Sequence, residues 1–212
     1  MGVMCKFFEF FVDVLTNIMK KNIKLSGGIE IMEMEEYIDF NELNINDLHD
    51  GLFLSFDRHK DVKKCYRKEN GSWVVKNIEY TETWTKKELE ELPAELAVTI
   101  NEGGFVFGAY CDEKLIGLAV LLNKKFGSKN QYIQLAEMSV SFGYRNKGIG
   151  KKLYKLCIAK AKSIGIKKIY ISADPAEETQ RFYLNIGCTD AIEINKIIAS
   201  EQPYDRQMEY IV

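Results

Sequence analysis

The stretch Val140-Ser-Phe-Gly-Tyr-Arg-Asn-Lys-Gly-Ile-Gly-Lys-Lys-Leu-Tyr154 joins an apolar, β-prone run, residues 132–140, to a segment whose apolar residues have helical spacing. The first N–H groups of a helix have no partner within it, and with the helix dipole they favour a bound phosphate. A side chain at Gly148 or Gly150 would keep a ligand away from the backbone. Three lysines add positive charge at the same point: Lys147, Lys151 and Lys152. The stretch therefore predicts a strand, a turn and a helix that together bind a pyrophosphate.

Spacing separates the possible phosphate-binding motifs. A P-loop requires a lysine directly after its second glycine; Gly143 and Gly148 are correctly separated, but Ile149 occupies the lysine position. A dinucleotide-binding motif requires a third glycine, where Leu153 stands, and this turn lies late in the chain instead of in a first βαβ unit. Neither motif accounts for the stretch.

The pattern that remains is Arg145-x-x-Gly148-x-Gly150. It resembles the Arg/Gln-x-x-Gly-x-Gly/Ala signature of the GNAT superfamily of N-acetyltransferases, which wraps the pyrophosphate of acetyl-CoA. A second part of the resemblance follows in the family's order: a β run over residues 168–173 and a short helix over residues 177–186 that contains Phe182-Tyr183. The resemblance covers residues 104–190.

The resemblance implies acetyl-CoA as co-substrate and direct attack of a neutral amine on its thioester. Tyr183 would lie near the thioester sulfur and protonate the leaving thiolate. Backbone groups near Met138 and Val140 would pair with the pantetheine amides, and one N–H would stabilise the oxyanion. The predicted cofactor-binding residues are Met138, Val140, Arg145, Asn146, Lys147, Gly148, Ile149, Gly150, Lys151, Thr179 and Phe182.

The amine must lose a proton before it can attack, so a base or a chain of water molecules is needed. Glu137, on the strand before the turn, is the candidate base. Strand alternation places Glu137 and Ser139 on one face and Met138 on the other, so the direction of the carboxylate depends on whether the strand contains a bulge. A solvated strand glutamate is the alternative interpretation of Glu137.

Some residues depart from the common GNAT pattern. Phe142 and Gly143 replace the frequent Pro-Glu before the turn. Ala176 and Thr179 stand where Asn and Ala are often found ahead of Phe-Tyr. The departures leave the pyrophosphate site intact and concern the contact between the second helix and the cofactor.

The order of elements predicts an α/β (α+β) fold: a GNAT-like mixed, mostly antiparallel central sheet with helices on both faces, plus an inserted β-hairpin. Asn70-Gly71 between two β-prone runs is a strong hairpin signal. A helix is expected over residues 85–102, divided by Pro93. The other expected elements before the turn are a strand over residues 36–40, a helix capped by Asn46 and ending at Phe56, and strands over residues 62–68, 73–78, 105–111 and 114–122.

Composition limits the function classes. The chain has 212 residues, is 46% hydrophobic and carries a formal net charge of -2, which gives no general attraction to nucleic acid. The five cysteines are scattered and His49 and His59 have no partner at ligand spacing, so no metal site is predicted. His59 is a candidate for lining the acceptor pocket. A reduced, cytoplasmic protein is expected.

Residues 1–31 differ from the remainder. Their aromatic run is interrupted by Glu9 and Asp13 and is too short to span a bilayer, so no stable membrane insertion is expected. An amphipathic surface helix is one interpretation. The other is that translation starts at Met32 or Met34 and that residues 1–31 are not part of the native protein. Residues 32–212 are expected to form a single GNAT-like domain.

The predicted function is transfer of an acetyl group from acetyl-CoA to a primary amine of a small molecule, a peptide or a protein. A module that senses acetyl-CoA without turnover is an alternative, as is a transferase that uses a longer acyl-CoA. The sequence is compatible with a monomer or a homodimer.

Overall fold

A computed structural model describes residues 37–212. The strands are β1 Ile38–Leu43, β2 Lys60–Glu69, β3 Ser72–Glu82, β4 Phe105–Cys111, β5 Lys114–Leu121, β6 Tyr132–Val140, β7 Lys168–Ala173, β8 Thr189–Asp190 and β9 Arg206–Ile211. The helices are α1 Lys86–Asn101, α2 Ile149–Ser163, α3 Glu177–Asn185 and α4 Lys196–Glu201. Within these residues, no helix is long and apolar enough to cross a lipid bilayer.

Seven strands form the central sheet in the order β1-β4-β5-β6-β7-β9-β8. All neighbours are antiparallel except β6 and β7, which run parallel because α2 connects them as a crossover. The predicted mixed, mostly antiparallel sheet is therefore confirmed. The two parallel strands lie at its centre, where the functional site is found.

Each face of the sheet is covered by its own apolar cluster. Alternating residues of β4 and β5 divide between the two faces, so that Phe107 packs with α2 residues such as Leu153, whereas Val106 packs with Leu96 of α1. Helices thus cover both faces, as the sequence predicts.

The inserted hairpin is confirmed as a separate two-stranded sheet of β2 and β3. Asn70 and Gly71 have φ values of 50° and 83°, the left-handed conformation that a tight hairpin turn requires at both central residues. Cys65 forms an isolated bridge with Ala176, and the Tyr66 N–H donates to the Pro175 carbonyl at 2.8 Å. The hairpin is therefore fixed against the segment between β7 and α3.

The predicted helix from Asn46 to Phe56 is wrong. Asn44, not Asn46, is the N-cap, and the 3-10 helix that it starts ends at Asp47. The chain then continues in turns held by i to i+3 hydrogen bonds, such as Phe56 N–H to Phe53 O at 2.9 Å. These turns bury Leu52, Phe53 and Phe56 against the sheet, and this packing decides the conformation over the helical spacing.

Pro93 does not divide the following helix, because α1 is continuous from Lys86 to Asn101. Proline lacks the N–H that would bond the preceding turn, which weakens a helix interior. Here Pro93 and Leu96 are the buried residues of α1, so packing against the sheet offsets that cost.

The strand expected over residues 36–40 is found as β1, displaced toward Leu43; Glu36 and residues 1–31 lie outside the described residues.

Candidate functional site

The candidate site lies where the two parallel strands separate. β6 and β7 pair over four residues, ending at Leu135 with Ile171, although β6 continues to Val140 and β7 to Ala173. A cleft of about 530 Å³ opens beyond the last pair and is lined by β6, the turn before α2, and α3. From Ala136 onward, the edge of β6 that faces β7 is therefore unpaired and lies along the cleft, whereas the other edge remains paired with β5.

A bulge in β6 sets which groups face the cleft. The register with β5 shifts between Val120 and Leu121, so that Ala136 has no partner residue there. The Ser141 N–H donates to the Ile116 carbonyl of the β5 side at 2.8 Å. Because backbone groups alternate sides along a strand, those of Met138 and Val140 point away from β5, toward the cleft.

The Val140 carbonyl already accepts a hydrogen bond from Nε of Arg145, at 2.9 Å. This bond turns the guanidinium back onto the strand end and ties the first residue of the motif to β6. Burial, and then the charge of Arg58, lower the pKa of Arg145. Arg145 thus contributes a positive charge beside the strand edge.

The turn leads into α2 through residues with positive φ. Asn146 has a φ of 63° and Gly148, the N-cap of α2, a φ of 80°, a conformation that glycine adopts without strain. Lys152 N–H is the first donor to bond back, to the Gly148 carbonyl at 3.1 Å. The N–H groups of Ile149, Gly150 and Lys151 therefore have no intrahelical acceptor, as the sequence predicts for an anion site.

The space in front of this turn is narrow. A Cβ placed on Gly150 would lie 3.5 Å from the ring of Phe182 and 3.7 Å from Val140. Glycine at this position leaves a gap between the first turn of α2, the ring on α3 and the end of β6. A longer side chain would fill that gap.

Helix α3 brings Tyr183 to the cleft. Tyr183 is 6% exposed, and its ring packs edge-on against Tyr154 and Phe182, with centroids 6.3 and 5.3 Å away. Within residues 37–212 its hydroxyl makes no hydrogen bond, yet the residue lines the cleft. Burial, and next the charge of Glu137, raise the pKa of Tyr183, so the phenol stays protonated at neutral pH.

Glu137 and Ser139 lie on the same face of β6, as strand alternation predicts, and the Ser139 hydroxyl donates a hydrogen bond to the Glu137 carboxylate. Both residues line the cleft. The hydroxyl holds the carboxylate in one orientation, and the charge of Glu137 acts on Tyr183. The strand therefore presents a carboxylate and α3 a protonated phenol to the same space.

Two cysteines near Tyr183 are thiols at neutral pH. Burial raises the pKa of Cys157 to about 12 and that of Cys188 to about 11. The Sγ of Cys188 lies 3.4 Å from the hydroxyl of Tyr154. Because the nucleophilic form of cysteine is the thiolate, neither residue is suited to carry an acyl group.

Most of the residues predicted for the site line this one cleft. They are Glu137, Met138, Val140, Arg145, Asn146, Gly148, Ile149, Gly150, Lys151, Thr179, Phe182 and Tyr183. Lys147 does not line it; its ammonium lies 5.1 Å from the ring centroid of Tyr144. His59 is also outside the lining, and its ring pairs with Asp61 at 3.1 Å. The residues on either side of His59 line the cleft instead.

Several lining residues were not predicted for the site from the sequence, and five of them bring polar or charged groups from other parts of the fold: Arg58, Lys60, Ser172, Asp174 and Asp205. They come from the start of the hairpin, the end of β7 and the loop before β9. Lys60 bridges Asp174 at 2.6 Å and Glu82 at 3.4 Å. Asp174 directly follows the apolar strand β7, and a polar residue at the end of such a strand is a signal that could have identified it as a site candidate. The sequence around Arg58, Lys60 and Asp205 contains no comparable signal.

Comparison with known proteins places this geometry in a family. The sequence profile of the acetyltransferase (GNAT) family matches residues 64–187, which is more than half of the chain. An uncharacterized N-acetyltransferase of Schizosaccharomyces pombe is 30% identical over 89 residues. That match covers 42% of this chain, and the chain spans 61% of the relative's length.

Solved structures share the fold. A putative streptothricin acetyltransferase from Bacillus anthracis, in complex with acetyl coenzyme A, has a TM-score of 0.62 at 18% identity, over 83% of this chain and 98% of that one. The PaiA N-acetyltransferase of Thermoplasma acidophilum, in complex with coenzyme A, has a TM-score of 0.54 at 18% identity, over 83% and 99%. With the match of the family profile, these results show that the chain belongs to the GNAT family of acetyltransferases.

Proposed function

We propose that this chain is an acetyl-CoA-dependent N-acetyltransferase that acts on a primary amine by direct transfer. The observation that carries the proposal is that one cleft collects the free N–H groups of α2, the unpaired edge of β6, and the side chains of Glu137 and Tyr183. The N–H groups suit the pyrophosphate of acetyl-CoA and the edge of β6 suits its pantetheine arm. Glu137 and Tyr183 suit the removal of a proton from the amine and the delivery of a proton to the leaving sulfur.

The residues present fit acetyl-CoA. The N–H groups of Ile149, Gly150 and Lys151 would hold the pyrophosphate, with Arg145 and Lys151 adding charge. The backbone groups of Met138 and Val140 face the cleft without a neighbouring strand and would pair with amides of the pantetheine arm. Acetyl coenzyme A in the structural relative from B. anthracis supports this assignment.

When bound, acetyl-CoA supplies a thioester whose carbonyl carbon the amine attacks, so that a C–N bond forms and the C–S bond breaks. Glu137 accepts the proton that the ammonium form of the acceptor must lose, directly or through water. Its hydrogen bond from Ser139 keeps the carboxylate oriented for that task. Tyr183 would donate its proton to the departing sulfur and would recover one from the second proton that the nitrogen loses as the amide forms, directly or through water.

Direct transfer, and not an acyl-enzyme on cysteine, is supported by the position of Cys157 and Cys188, which are buried and do not line the cleft, and by burial, which raises the pKa of both thiols. We therefore expect kinetics in which both substrates must be bound before either product leaves. Parallel lines in double-reciprocal plots would contradict direct transfer.

The test is a thiol-release assay with acetyl-CoA against polyamines, aminoglycosides, amino acids and peptide N-termini, with product mass confirmed for each positive. Release that depends on an amine and on Glu137 would support the proposal. Tight binding of acetyl-CoA by calorimetry with no release for any amine would favour a sensor module instead. Repeating the positive assay with propionyl-CoA and butyryl-CoA tests the acyl chain length.

A further inference from the structure

We infer that Asp205 selects the acceptor, by binding a second positive charge on an amine that carries one besides the reacting nitrogen. The inference rests on the proposed acetyl transfer and names its substrate class, a diamine or other polycationic amine. Three features of the cleft support it: the position of Asp205, the hydrogen bonds that hold it, and the balance of charge around it.

Asp205 lies on the wall of the cleft formed by β7 and β9, across from the free edge of β6. β7 and β9 are antiparallel with Ala173 opposite Arg206, so Asp205 is the first residue beyond this ladder and lies beside Asp174. Both carboxylates line the cleft together with Ser172. Since the groups proposed to hold acetyl-CoA belong to β6, the turn and α2, the wall formed by β7 and β9 is left for the acceptor.

A chain of hydrogen bonds holds the Asp205 carboxylate as an acceptor. The Asn195 N–H donates to the Tyr170 hydroxyl at 3.1 Å, and that hydroxyl donates to Oε1 of Gln207 at 2.7 Å. Nε2 of Gln207 donates to the Ser172 hydroxyl at 2.9 Å, which donates to Oδ2 of Asp205 at 3.0 Å. Because the Asn195 N–H can only donate, every group in this series of hydrogen bonds donates to the next, and the carboxylate of Asp205 accepts the last bond.

The cations nearby are already engaged. Lys60 lies between Asp174 and Glu82, and Arg58 is 3.9 Å from Glu82 while its guanidinium lies over the ring of Trp84. Within residues 37–212 Asp205 has no ion-pair partner.

Around Asp205, two cations, Arg58 and Lys60, therefore face three carboxylates, those of Asp174, Glu82 and Asp205 itself. Glu137 is a further carboxylate in the cleft lining. Burial, followed by Asp174 and Glu82, raises the pKa of Asp205 to about 6, and Lys60 opposes the rise. Asp205 is thus ionised at neutral pH in a partly buried place, where a carboxylate without a cation is unfavourable. A ligand with two positive charges would restore the balance: one charge is lost as Glu137 removes a proton from the reacting nitrogen, and the other stays on Asp205.

A matched pair of acceptors tests this. Putrescine and n-pentylamine have the same reach, but the second ammonium of putrescine is replaced by a methyl group in n-pentylamine. We expect kcat/KM to be higher for putrescine by roughly 10- to 100-fold, as for one partly buried charge-assisted hydrogen bond. Asp205→Asn should remove most of that advantage and leave n-pentylamine within about twofold. Glu201→Gln, an exposed carboxylate on α4 outside the cleft, is the control.

Equal losses for both amines in Asp205→Asn, or no preference in the wild-type protein, would overturn the inference. Calorimetry with putrescine and n-pentylamine in the presence of CoA separates it from the proposed function. Binding of putrescine that needs Asp205, with no turnover of any amine, would support the cation site and refute the transferase. Turnover of n-pentylamine alone would support the transferase and refute the cation site.

Discussion

Replacing Tyr183 by Phe tests the proton donor proposed for the cleft. The substitution removes one oxygen and keeps the ring that packs against Tyr154 and Phe182. Because the hydroxyl makes no hydrogen bond within residues 37–212, its loss should change the free energy of unfolding by less than about 1 kcal/mol. Any large effect on turnover then reports chemistry and not packing.

The expected fall in kcat follows from what the hydroxyl does in the transition state. A hydrogen bond to a group that becomes anionic contributes about 1.5 to 3 kcal/mol, so turnover should fall on the order of 100-fold at neutral pH. Affinity for acetyl-CoA should stay nearly unchanged, since the interaction forms only as the thiolate departs. The thiol of a cysteine-like reference has a pKa of about 8.5, so the defect should shrink as the pH rises above that value.

The measurement is kcat as a function of pH in the thiol-release assay, with acetyl-CoA affinity by calorimetry and stability by thermal unfolding. Tyr154→Phe is the matched control, because that hydroxyl is buried in the same aromatic cluster, contacts Cys188 and does not line the cleft. We expect Tyr154→Phe to keep wild-type turnover. Full turnover in a folded Tyr183→Phe protein, or equal losses in both variants, would assign Tyr183 to the core and thiolate protonation to water.

Four further outcomes are expected. Gly150→Val, whose side chain fills the gap in front of α2, should weaken acetyl-CoA binding at least tenfold by calorimetry, and unchanged affinity in a folded variant would refute the turn as the pyrophosphate site. Lys60→Met should lower stability by about 1 to 3 kcal/mol in chemical denaturation, because Asp174 loses the cation that fixes the hairpin; an unchanged midpoint would show that the pair contributes nothing. The KM for putrescine should rise as pH falls through about 6, since Asp205 becomes protonated and neutral there, and a profile that stays flat in the wild-type protein would exclude the carboxylate. Deleting residues 1–31 should leave the melting temperature and acetyl-CoA affinity unchanged, whereas a large loss of melting temperature would show that they are packed against the domain.

Local sequence signals identified the parts of the site that depend on backbone geometry. Gly148 with a positive φ, the free N–H groups after it and the strand that ends at Val140 all follow from a short stretch with fixed spacing. The hairpin turn at Asn70-Gly71 follows in the same way. These features are set by residues that are neighbours in the chain.

Local signals failed where packing decided the conformation. The helical spacing after Asn46 gave way to tight turns that bury Phe53 and Phe56, and Pro93 stayed within one helix because its own face is buried. In both places the free energy of burial against the sheet exceeds the local preference. Such burial depends on strands that are far away in the sequence.

The sequence by itself determined the family, the order of most elements and the conformation of the turn before α2, because these depend on short patterns that act over a few residues. Only the tertiary structure decided which side of β6 faces a cleft, since that depends on the bulge at Ala136 and on the separation of β7. It also brought Lys60 and Asp205 to the lining of the same cleft. Lys60 and Asp205 are distant in the chain and meet there because β9 pairs with β7 and the hairpin is fixed beside it, and long-range strand pairing leaves no periodic signal around either residue.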